Sequence, residues 1–103
     1  MELAVEQPFV KENQQNIDLV KGTFTVSEAA DIVNSILEVK INFHKLQRLS
    51  KTEGNLQDNC TFDNSRIDEL LEAQNKAREF FAQARLSGQK ITMNSSISIH
   101  SEA

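Results

Sequence analysis

Thr25-Val26-Ser27-Glu28-Ala29-Ala30-Asp31-Ile32-Val33-Asn34-Ser35-Ile36-Leu37-Glu38-Val39-Lys40-Ile41-Asn42-Phe43-His44-Lys45-Leu46-Gln47-Arg48-Leu49 is the run whose reading decides the fold. Its first four residues have the form of a capping box, the Thr25 hydroxyl accepting from the Glu28 amide while Glu28 reaches back, so a helix begins here. Ala29, Ile32, Ile36, Val39, Phe43 and Leu46 then recur in steps of three and four and share one stripe. Val26, Ala30, Val33, Leu37 and Ile41 form a second stripe beside it. Two stripes are more apolar surface than one neighbour covers, so this helix needs two. The pattern stops at Ser50-Lys51-Thr52-Glu53-Gly54, where Gly54 is expected to supply a left-handed closing turn.

Downstream, residues 55–64 read as a polar connection in which Phe62 folds back over the hairpin end. A second helix is expected from Asn64 or Ser65, both good caps, to Ser87 before Gly88. Its stripe is Ile67, Leu70, Leu71, Gln74, Ala77, Phe81 and Ala84. Both helices place acids early (Glu28, Asp31, Glu38; Asp68, Glu69, Glu72) and bases late (Lys40, Lys45, Arg48, Lys51; Lys76, Arg78, Arg85). Each complements its own dipole, and laid antiparallel each basic half meets the other's acidic half.

Residues 16–25 are strand-prone, with Gly22 marking a bulge or close packing. At the other end Ile91, Met93, Ser95, Ile97 and Ile99 alternate with Thr92, Asn94, Ser96, Ser98 and His100, a strand with one wet face. The helical hairpin returns the chain to its starting end, so the two strands run antiparallel and pair. The expected fold is α+β and mainly helical: strand, helix, helix, strand, with a long antiparallel helical hairpin packed on a small antiparallel sheet. Residues 1–15 read as a flexible or loosely docked arm and 16–103 as a single helical-hairpin domain.

The 103 residues include 29 Leu, Ile, Val or Phe, enough to fold, but no Trp or Tyr, so the core is aliphatic. A net charge of -4 argues against a nucleic-acid partner. No run approaches a membrane span, and Glu2, Glu6 and Pro8 stand where a secretory signal would be basic and apolar, so the expected location is cytoplasmic. One cysteine, Cys60, and two histidines are too few for a zinc site, and no cofactor is expected. Asp58, Asp63, Asp68 and Glu69 lack calcium-loop spacing and read as solvated acids, and Cys60 reads as an inert loop cysteine.

The string Phe43-His44-Lys45-Leu46-Gln47-Arg48 resembles the His-x-Leu-Lys-Gly pattern of histidine phosphotransfer domains. His44 and Leu46 match, whereas Gln47 stands at the lysine and Arg48 at the glycine. That resemblance implies an exposed His44 on a four-helix bundle, approached by a response-regulator partner. Without it, His44 reads as a rim residue beside a core Phe43, so that Phe43→Ala is expected to destabilise far more than His44→Ala. The leading functional expectation is a non-catalytic interaction or scaffold protein, not an enzyme. It acts as a homodimer with an unidentified protein partner, through a packing or dimer seam of Ile32, Ile36, Val39, Phe43 and Leu46. Histidine phosphotransfer or another regulatory role through His44 is the alternative.

Overall fold

A computed structural model describes residues 13–102; the expected arm of residues 1–15 lies outside the described residues up to position 12. The chain runs β1 (Gln14–Phe24), α1 (Val26–Gly54), α2 (Thr61–Ser87) and β2 (Ile91–His100), the expected α+β order. It divides into two compact units, a strand ribbon up to Thr23 and from Thr92, and a helical unit Phe24–Ile91.

In the ribbon β1 and β2 pair as a two-stranded antiparallel sheet. The Ser101 amide donates to the Asn13 carbonyl at 3.0 Å, and Ser98 Oγ donates to Asn16 Oδ1 at 2.9 Å. This register sets Ile17 opposite Ile97. Ile17, Leu19, Ile97 and Ile99 are each a little under half exposed. Gly22 has φ 148°, a backbone conformation that side-chain-bearing residues avoid.

The helical unit begins as its sequence dictates. Thr25 caps α1, with the Glu28 amide donating to Thr25 Oγ1 (3.1 Å) and the Thr25 amide donating to Glu28 Oε1 (3.0 Å). At the far end α1 closes on an extended Asn55, whose amide donates to the Lys51 carbonyl, and Gly54 is not left-handed. In the helical unit the left-handed residues are Cys60 (φ 54°), before α2, and Gly88 (φ 68°), after it. α2 starts at Thr61, one turn before the expected Asn64 or Ser65. The reason is local: Asp58 Oδ1 accepts from the Cys60 amide (2.8 Å), and Asn64 Nδ2 donates to the Asn59 carbonyl (3.0 Å). Those bonds turn the chain early, bringing Phe62 and Asp63 into the first helical turn.

The seam between the helices is built from Val26, Ala29, Ile41 and His44 on α1 and Asp63, Ile67, Leu70, Gln74, Phe81 and Ala84 on α2, all buried. On α2 this is the stripe the sequence shows, except that Leu71 is 43 % exposed. On α1 Val26 and Ile41 come from the second stripe, with Ala30, Val33 and Leu37 half-buried along it, and Ala29 is the one buried member of the first. Beyond Ala29 the first stripe is not fully buried: Ile32 and Ile36 are half-buried, while Val39 (67 %), Phe43 (47 %) and Leu46 (65 %) are exposed. At about 100° per residue these three stand roughly 140–160° around the helix from Ile41. Of the two stripes, only the second continues into His44, Arg48 and Lys51, which can satisfy the polar start of α2; the first continues into Phe43 and Leu46, which cannot. Among the described residues, no helix is long and apolar enough to cross a membrane.

Candidate functional site: a polar lock and an open apolar stripe

His44, Arg48 and Lys51 follow one another at helical steps of four and three, so they project from one face of α1 near its C-terminus. Asp63 and Asn64 lie in the first turn of α2, where negative charge and acceptors suit the helix dipole. The hairpin brings the two sets together. His44 Nδ1 lies 2.9 Å from Asp63 Oδ1, Lys51 Nζ lies 2.7 Å from Asp63 Oδ2, and Arg48 Nη1 donates to Asn64 Oδ1 at 2.8 Å. His44 is 5 % exposed and Asp63 1 %. The Lys51 side chain remains 40 % exposed.

Charge sets the proton positions. The hydrogen bond from the Lys51 ammonium, then that from His44, holds the Asp63 carboxyl below the ordinary 3.8, outweighing desolvation. That same hydrogen bond to Asp63 raises Lys51 above 10.5, against an opposing effect of burial, with help from the charges of Asp63, Asp58 and Cys60. An ionised carboxylate only accepts, so His44 Nδ1 carries a hydrogen and donates. The imidazole meets Phe43 and Phe62 edge-on at centroid distances of 5.1 and 5.9 Å. Cys60, buried beside the lock, directs its thiol at the Arg48 carbonyl (3.6 Å), with Thr52 Oγ1 at 3.9 Å.

Several expectations change here. His44 is buried rather than at the rim, and Phe43 is nearly half exposed rather than core. Asp63 is a buried ion-pair partner rather than a solvated loop acid. Phe62 touches His44 at its edge but is 64 % exposed, so it does not plug the hairpin end. Because the structure buries His44 under Phe43 and Phe62 and ties one nitrogen to Asp63, the exposed imidazole implied by the phosphotransfer resemblance is not present. The signal that sequence reasoning missed was the continuation of the second stripe: His44, Arg48 and Lys51 at i, i+4 and i+7, facing an acid and an amide at the start of the next helix.

Chemically the lock is a neutralised ion pair with an oriented histidine, an arrangement that fixes geometry. Further along the hairpin Gln74 Nε2 donates to Asn34 Oδ1 (3.1 Å) and Glu38 Oε2 (2.9 Å), satisfying the other buried polar side chain of the seam. Of the stripe Ile32, Ile36, Val39, Phe43 and Leu46, the last three remain as exposed apolar surface and the first two are half-buried. No family model, curated protein or solved structure matches the chain.

Proposed function

We propose that this chain is a small non-catalytic interaction or scaffold protein that works as a homo-oligomer, with Ile32, Ile36, Val39, Phe43 and Leu46 as its seam. The observation that carries the reading is the exposure of Val39, Phe43 and Leu46 on the side of α1 turned away from α2. Contiguous apolar surface of this kind marks an interaction site. A second copy suits it by charge. Antiparallel pairing about Val39 sets Glu38 of one copy against Lys40 of the other at both symmetric positions. Net negative charge disfavours nucleic acid as the partner, and a single cysteine suits a reducing cytoplasmic setting. A protein bound by the assembled form completes the scaffold role. The phosphotransfer alternative draws no support from a histidine that is 5 % exposed.

Light scattering after size exclusion tests the seam. The wild-type chain is expected at twice 11.6 kDa or a higher multiple. Val39→Glu with Leu46→Glu is expected to lower that mass while leaving helix content unchanged. An unaltered mass would overturn the seam.

A further inference from the structure

Among the described residues the ribbon stops at two strands, so each has an open outer edge, and the two edges differ. β1 carries Asp18 and Lys21 and the distorted Gly22, features that blunt an edge against pairing. β2 reads Ile-Thr-Met-Asn-Ser-Ser-Ile-Ser-Ile-His, with no Asp, Glu, Lys, Arg, Pro or Gly anywhere in it. Such an edge is a template for another strand. Its amides are set for the purpose: Ser101 turns its N–H to β1, and amides alternate sides along a strand, so Asn94, Ser96 and Ser98 turn theirs to the open edge.

The strand also has a symmetry. Its apolar residues at 91, 93, 97 and 99 fall at equal distances on either side of Ser95. Reversed and laid beside itself about Ser95, β2 meets a copy of its own pattern: Ile91 against a second copy's Ile99, and Met93 against its Ile97. On the other face Thr92 meets Ser98 and Asn94 meets Ser96. The outward amides of Asn94 and of a second copy's Ser96 then face each other as a hydrogen-bonded pair. No charge opposes another along β2, and the apolar face carrying Ile17, Leu19, Ile97 and Ile99 continues from one ribbon to the next.

We infer that the β2 edge is a second homotypic contact, in which β2 pairs antiparallel with β2 of another copy about Ser95 to give a four-stranded sheet. It rests on the ribbon alone and is independent of the α1 seam. A two-stranded ribbon is marginal in water, and four strands with one apolar face remove that weakness.

The test is a charge swap in the Val39→Glu/Leu46→Glu background, where the α1 seam is broken. With both contacts intact each copy joins two others and the wild type is larger than a dimer, so that parent is expected to fall to a dimer held by the β2 edge alone. Adding Asn94→Lys and Ser96→Lys, both at exposed positions, opposes lysine to lysine at two symmetric pairs and is expected to weaken the dimer roughly tenfold in Kd. Adding Asn94→Lys and Ser96→Glu instead opposes lysine to glutamate and is expected to return the Kd to the parent's or below. A monomeric parent, or a Lys/Glu variant as weak as the Lys/Lys one, overturns the edge contact. A second measurement reads the register. In a Cys60→Ser background, Ser95→Cys is expected to cross-link rapidly on oxidation and Ser98→Cys slowly; the reverse order refutes pairing about Ser95. The two readings fail separately, since a wild-type mass unmoved by Val39→Glu/Leu46→Glu removes the α1 seam while the charge swap still decides the edge.

Discussion

His44→Ala is expected to destabilise the monomer more than Phe43→Ala, although a phenylalanine in a helix of this kind would ordinarily be the core residue. The His44 ring donates to an ionised Asp63, a charge-assisted bond of the kind whose loss costs about 1.5–3 kcal/mol, and removing a buried ring forfeits roughly 1 kcal/mol more of packing. Together these give about 3 kcal/mol. Phe43 is 47 % exposed, so truncation returns only half of a burial worth about 1.5–3 kcal/mol, near 1 kcal/mol. With a urea dependence of about 1.5 kcal/mol/M, the midpoint falls by about 2 M for His44→Ala and by under about 1 M for Phe43→Ala. The assay is urea unfolding followed by far-UV circular dichroism at several protein concentrations. Phe43 belongs to the proposed α1 seam, so its variant should also lose whatever stabilisation the wild type gains with concentration, and the values to compare are those at the dilute limit. A larger shift for Phe43→Ala than for His44→Ala at that limit would refute the placement of His44 in the α1–α2 seam.

Acid should reveal the Asp63 lock. Its carboxyl pKa is lowered on folding, so the stabilisation is fully present above 3.8 and is lost as pH falls through the lower folded value; Asp63→Asn is expected to flatten the acid limb of a stability–pH profile. For Lys51, raised on folding, the stabilisation is present below 10.5 and is lost as pH rises through the higher folded value, so Lys51→Gln should flatten the alkaline limb. Cys60 is 4 % exposed, so a maleimide is expected to label the native chain at least about a hundredfold more slowly than the urea-unfolded chain; equal rates would place the thiol in solvent.

Periodicity and local chemistry carried most of the fold. The β2 bounds, the Thr25–Glu28 box, the α2 stripe and the antiparallel return all follow from spacing and capping residues, which act over a few positions. What spacing could not decide was which of two equally apolar stripes on α1 would meet α2. That choice rests on Asp63 finding His44 and Lys51 across the hairpin, a tertiary match between residues that each have a plausible local role. The start of α2 was obscured for a related reason: Asn64 and Ser65 are better caps than Cys60, yet the turn made by Asp58 starts the helix a turn sooner. Phe43 and His44, adjacent in sequence and about 100° apart on the helix, exchanged roles as a consequence.

The lock at the hairpin tip also bears on how the chain finds its shape. His44 and Asp63 are only nineteen residues apart, whereas Gln74 and Asn34 are forty apart. Closing the shorter loop loses less chain entropy, so the tip is the natural point of nucleation, with the aliphatic seam zipping from it toward the strand-bearing end. Aliphatic contacts alone would permit that zipper to start out of step. A slip of one helical turn would move Asp63 about 5.4 Å, beyond hydrogen-bond reach of either partner, and leave a carboxylate stranded in the seam. The contact with the shorter loop to close is therefore also the one least able to form out of register.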